Sequence, residues 1–180
     1  MKNNVITTVL IHFILGSFII GGLATHCYAK PLNQVVIYWD DTETFTDIDG
    51  GSYAQYHFTK RVKQTLNLKF AKLMGKLPAK YHWTIQIHDI DLAGKMSRAY
   101  NTQSKSIRVY DTFFNPTMTF SYRLLDNKAH VVANDKNFKL TDFYVTQYPS
   151  PRFMHRFLSY EQHMLDAWFN KVLLPFVLEQ

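Results

Sequence analysis

Apolar residues recur at three- and four-residue steps through Phe58, Val62, Leu66, Phe70, Leu73 and Leu77. That spacing draws one stripe along a helix. Ser52, with Gln55 three residues on, supplies a capping-box start, and Gly75 and Pro78 supply the stop. Ahead of it, 34–40 is a β-branched and aromatic run ending in acids, which predicts a buried strand. An acidic loop over 41–51 follows. Beyond the helix the period changes to two. Trp83, Ile85 and Ile87 alternate with His82, Thr84, Gln86 and His88, and 117–125 alternates through Met118, Phe120, Tyr122 and Leu124. Between these strands, 93–105 reads as a polar loop and 106–111 as a short strand. Asp126-Asn127-Lys128 is turn material that folds back a further strand, from Ala129 to Ala133 or on to Leu140. A less regular stretch holding Pro149 and Pro151 leads to a second helix. Ser159 and Gln162 repeat the capping spacing there, Leu165, Trp168, Val172 and Phe176 form its stripe, and Pro175 should kink or end it.

The order is therefore β-α-β-β-β-β-α. The first two strands should run parallel through a right-handed crossover, and the later ones should form an antiparallel meander. The expected fold is α+β: a two-layer sandwich of a mixed, mostly antiparallel sheet of about five strands with both helices on one face.

The N-terminus changes the setting of that fold. Met1–Asn4 carries one lysine, Val5–Ala24 is nearly unbroken apolar sequence, and a short polar stretch ends in Ala29-Lys30-Pro31. This is the order of a secretory signal, so 1–29 is expected to be removed and 30–180 to form one domain. The apolar run is long enough to span a bilayer, but Ala29 and the lack of a basic cluster after it favour cleavage. His26 before Cys27 argues against lipidation of that cysteine. Removing 29 of the 180 residues leaves 151, enough for one core. The sole cysteine leaves with the signal, so disulfides, cysteine metal sites and cysteine nucleophiles are excluded. Loss of Lys2 lowers the formal charge from +6 to +5, which favours anionic neighbours. A periplasmic address and the absence of any nucleic-acid motif exclude that partner.

Val36-Ile-Tyr-Trp39 with Phe45-Thr-Asp-Ile48, then Asp89-Ile-Asp-Leu-Ala-Gly94, then Ile107-Arg-Val109 with Ser121-Tyr-Arg-Leu-Leu-Asp126, and last Tyr160-Glu161 with Met164-Leu165 and Trp168-Phe169, stand in a recognisable order. The chain resembles the exported bacterial family called domain of unknown function 3016 over nearly all of the mature sequence. The resemblance implies an envelope protein of Gram-negative bacteria and implies no activity. His155 and His163 depart from the pattern the resemblance leads one to expect.

Candidate chemistry centres on two similar triplets, Asp47-Ile-Asp49 before Gly50 and Asp89-Ile-Asp91 before Gly94. Neither fits a calcium loop, because oxygen ligands fail at positions 1 and 12 in the first (Phe45, Tyr56) and at positions 5 and 12 in the second (Ala93, Tyr100). Their likeness reads as a coincidence of two loops. By strand parity Asp89 and Asp91 share the face of Ile85 and Ile87, and Asp40 and Asp41 should emerge beside them at one sheet edge. Crowded carboxylates there can split acid and base roles. The competing reading pairs them with Arg98, Arg108 or Arg123, or has Asp91 close an Asx turn near Gly94, and it is favoured because charge-paired acids at strand ends are common.

His82 and His88 lie six residues apart, about 20 Å along a strand at ~3.3 Å per residue, too far to share an ion. No metal site and no cofactor is expected. Serine-nucleophile and phosphate-loop motifs are missing; Gly50-Gly51-Ser52 at a helix start is a minor anion candidate. Lys60, Arg61, Lys63, Lys69, Lys72 and Lys76 give the first helix a cationic back, with Lys63 and Lys72 the residues that would meet anionic lipid or a partner. Trp39 is a candidate to stack a sugar ring, while Trp83 and Trp168 belong to core patterns. The expected function is a non-catalytic envelope module binding a protein, glycan or anionic lipid. The alternative is a hydrolase of an envelope polymer using Asp89 and Asp91 with Asp40 or Asp41.

Overall fold

A computed structural model describes residues 33–51, 53–98, 106–110, 113–142 and 156–179. The expected leader, Ser52, His155 and the stretch with Pro149 and Pro151 lie outside the described residues. The elements are β1 (Gln34–Trp39), α1 (Gln55–Met74), β2 (His82–Asp91), β3 (Lys95–Arg98), β4 (Ser106–Val109), β5 (Thr117–Leu125), β6 (Val131–Thr141), α2 (Ser159–Trp168) and α3 (Leu174–Leu178), with a π-helical turn over Phe169–Leu173. The fold is α+β as the pattern implies, with a mixed sheet in the order β1-β2-β5-β6. β1 and β2 pair in parallel across α1, and the other pairings are antiparallel. The main sheet holds four strands, fewer than the expected five. The 106–111 strand leaves it, because Lys95–Arg98, expected as loop, pairs with Ser106–Val109 in a separate ribbon.

Both helices cover one face. Trp83 of β2 meets Phe70 of α1 and Trp168 and Phe169 at the second helix, and Phe120 of β5 meets Phe70 and Trp168. The first apolar stripe is buried as spaced, with Val62, Leu66, Phe70 and Leu73 fully covered. Aromatic edge-to-face pairs add to that burial.

The second stripe is corrected. Val172 and Phe176 are exposed, while Phe169, Leu173 and Val177 are buried. Pro175 has no N–H for the carbonyl four residues back, and its ring crowds that carbonyl. The helix widens into the π turn just before it, and the extra residue per turn advances the buried positions by one.

Both capping boxes are also corrected. α1 begins at Gln55 behind Ala54, without a side-chain cap. Gln55 reaches backward instead, donating to Ile48 O at 2.8 Å and accepting from Gly50 N–H at 3.1 Å. α2 starts behind Leu158, which holds a left-handed conformation, and Gln162 donates to Phe157 O at 2.9 Å. In both cases the polar side chain ties down the loop that enters the helix.

Candidate functional site

A β-bulge decides where the aspartates point. Along β2, Ile87 is opposite Phe120 and Asp89 is opposite Thr119, so His88 is the extra residue. The slip puts Ile90 on the buried face beside Met118 and turns Asp89 and Asp91 away from it. This corrects the parity reading, which placed the two acids on the face of Ile85 and Ile87.

The two triplets lie against each other. Asp47 N–H donates to Ile90 O at 3.0 Å, Leu92 N–H donates to Asp47 O at 3.1 Å, and Asp47 and Asp91 form a parallel bridge. Asp89 accepts from Thr46 through both its N–H and its hydroxyl, each at 2.7 Å. The two triplets thus meet at one parallel bridge that pairs the first aspartate of one with the last of the other.

Arg108 of β4 locks the seam. Its guanidinium donates to both oxygens of Asp47 at 2.8 and 2.9 Å, to Asp49 O at 2.8 Å and to Gly94 O at 3.2 Å. Burial opposes its charge, but Asp47 more than compensates and raises its pKa. Arginine pairing was expected at Asp89 or Asp91; it falls on Asp47. Among the described residues no ion pair joins Arg98 or Arg123 to either acid. Asp91 has its pKa raised by burial and then by Asp47 and Asp89. Asp41 accepts from Glu43 N–H at 3.0 Å and caps a short turn. Asp40 points elsewhere, toward His88 and Gln86. The four acids named from sequence thus form no single cluster.

The other binding candidates are largely engaged. Trp39 donates its indole N–H to Asn67 at 3.1 Å, stacks on Phe45 with centroids 6.3 Å apart, and has the Lys63 ammonium 5.5 Å from its ring. Lys69, placed by sequence on the solvated back of the helix, is buried and paired with Asp166 of α2. Lys72 borders a shallow groove with Arg156, His163 and Asp166.

What periodicity and motif spacing missed is Glu161. It is 3% exposed in the first turn of α2 and accepts from Ala93 N–H at 2.9 Å. Burial raises its pKa, against the pull of the Ala93 N–H. It lines a cavity of about 520 Å³ between the start of α1, the β3–β4 ribbon and the start of α2. Phe58, Leu92, Met96, Ile107 and Phe157 make the walls apolar, with Tyr53, His57 and Arg61 on the α1 side. Arg61 lies 4.1 Å over the Phe157 ring. The Tyr160-Glu161 dipeptide was a visible signal, but its depth depends on how α2 docks. A wider hollow of about 1210 Å³ runs from the acidic loop past Lys60 and Lys63. Among the described residues no group of three or more His, Cys, Asp or Glu side chains gathers to hold a metal.

The arrangement defines a class: an α+β sandwich with one helix-covered face, whose acidic strand ends are pinned by one arginine beside a cavity holding a buried carboxyl. A family model described as protein of unknown function (DUF3016) matches residues 33–171, and the chain belongs to that family. No curated protein matches it. Among solved structures the chain is similar to the hypothetical protein CT253 from Chlamydia trachomatis, at 10% identity and a TM-score of 0.32, covering 84% of this chain and all of that one.

Proposed function

We propose that the protein is an exported, periplasmic binding module of the cell envelope, with the Glu161 cavity as its ligand site. The observation that carries this reading is a carboxyl 3% exposed in a cavity of about 520 Å³ whose wall mixes apolar side chains with Asp49, His57, Arg61 and Arg108. That volume is in the usual range for small-ligand sites, and convergent polar groups in apolar walls are their usual design. Both terminal nitrogens of Arg108 are engaged by Asp47 and backbone carbonyls, so this residue holds the wall. Glu161 is the group that favours an apolar molecule carrying an amine or amide donor. The joint aspartate cluster of the hydrolase alternative does not assemble, since Asp41 and Asp89 hold loop groups and Asp40 turns to His88 and Gln86, away from Asp91.

The test titrates hexylamine and hexanoate into the isotope-labelled protein and follows the Ala93 amide signal. Hexylamine should shift it, hexanoate should not, and Glu161→Gln should weaken the hexylamine effect at least tenfold. Equal response to both compounds, or to neither, would remove the cavity from the reading. Export is checked separately: protein recovered from a periplasmic extract should begin at Lys30, and retention of 1–29 would refute it.

A further inference from the structure

The sheet face away from the helices carries a second feature, built from three neighbouring strands. His88, the bulge residue of β2, has its Nδ1 2.8 Å from Asp40 Oδ2 at the end of β1 and its Nε2 2.7 Å from Ser121 Oγ in β5. Gln86 donates to the other oxygen of Asp40. Asn137 N–H donates to Ser121 Oγ at 3.0 Å. Proton positions follow from this chain. The hydrogen bonds from His88 and Gln86 hold the Asp40 carboxyl below its usual range, so it is ionised and only accepts. With Asp40 accepting, the hydrogen at that contact lies on His88 Nδ1, and a ring protonated there alone would accept from Ser121 Oγ–H at Nε2.

Two irregularities create the row. The bulge at His88 aims the imidazole, and a register shift between Phe120 and Tyr122 brings Asn137, at φ 54°, against Ser121. Bulges and left-handed residues gather where side chains are re-aimed for chemistry. No sequence motif marks the row, because its members come from three strands.

We propose that Asp40, His88 and Ser121 form a nucleophilic relay that cleaves short-chain acyl esters. The relay goes beyond the binding function and does not depend on the cavity. As Ser121 Oγ bonds to the ester carbonyl carbon, its proton passes to His88 Nε2. The carbon–oxygen bond to the alcohol breaks, and the alcohol leaves with that proton. Water then attacks the acyl-serine, again through His88, and releases the acid while Oγ regains its proton. Asp40 is a positioning residue that holds Nδ1–H and stabilises the imidazolium. Asn137 N–H donates to Ser121 Oγ itself and holds the hydroxyl in line with His88. Tyr38 and Gln86 are register partners, as are Gln86 and Ser121, and Tyr38 is 54% exposed. The backbones of Tyr38 and Ser121 stand two strand spacings apart, about 10 Å, and an exposed aromatic at that register suits an acyl group carried on a sugar or sugar chain.

The experiment treats the purified protein with a biotinylated fluorophosphonate and, separately, with 4-nitrophenyl acetate and an O-acetylated xylo-oligosaccharide. The label should map to the Ser121 peptide and be absent from Ser121→Ala and His88→Ala. Turnover of both esters should fall at least tenfold in each variant, and Thr84→Ala on the same face should match the parent. Asp40→Asn should lower kcat with KM within twofold and change the pH profile, which a purely structural role would not do. Circular dichroism of each variant separates lost chemistry from lost fold. Absence of label on the folded protein, or unchanged turnover in folded Ser121→Ala, overturns the relay.

Discussion

Gly94 shows how one residue can be fixed by its neighbours. It holds φ +75°, and a Cβ there would lie 2.4 Å from Val109 O, a backbone atom that cannot step aside. Gly94→Ala therefore meets both strain and a clash, and should cost about 3 kcal/mol in urea unfolding. Arg108 is the second such residue. Its side chain is 13% exposed and Asp47's is 21%, so removing the guanidinium strands a carboxylate at the seam. Arg108→Ala should cost about 3–5 kcal/mol. A double-mutant cycle with Asp47→Asn should show strong coupling, and additive losses would mean the pair acts separately. Sequence named Arg108 and the triplets, but the carboxylate it pairs with is Asp47 rather than one of the expected strand-end acids.

Among the elements, α1 was legible because its stripe is local: a residue four positions on is always on the same face. The second helix was legible only up to Trp168, since the widened turn before Pro175 depends on how the chain relieves the proline. The helices also meet through charge. Lys69 is 8% exposed while its partner Asp166 is 39% exposed and has Lys76 at 3.7 Å. The two ends of this pair should respond unequally. Asp166→Ala strands a buried ammonium and should cost about 2–3 kcal/mol. Lys69→Met keeps the apolar stem and leaves Asp166 with Lys76 and solvent, so it should cost under about 1 kcal/mol. Chemical denaturation of the two variants decides it, and equal losses would contradict the asymmetry.

At the scale of the whole molecule, buried and engaged carboxyls shape stability against pH. Glu161 has a raised pKa in the folded state, so the native protein holds more protons than the unfolded chain above the ordinary glutamate range. Stability should fall as pH rises through that window, and Glu161→Gln should flatten the fall. Asp40 has the opposite sign. Its stabilisation is present above the ordinary aspartate value and is lost as pH falls through the lowered one, and Asp40→Asn should remove that acid limb. Thermal unfolding across pH, with both variants, measures the two limbs separately. Alone, the sequence determined the α+β class, the order of every element except the Lys95–Arg98 strand and the turns that end the second helix, the stripe of α1 and the alternation of β2 and β5, because each rests on a period within one segment. Tertiary structure decided the rest: the ribbon that left the main sheet, the pairing of the two acidic triplets, the burial of Glu161 and the row from Asp40 through His88 to Ser121. Apart from the ribbon, whose strands Lys95–Arg98 and Ser106–Val109 are near in sequence, each joins residues more than thirty positions apart or turns on a one-residue slip, and a slip reverses the face of every side chain beyond it.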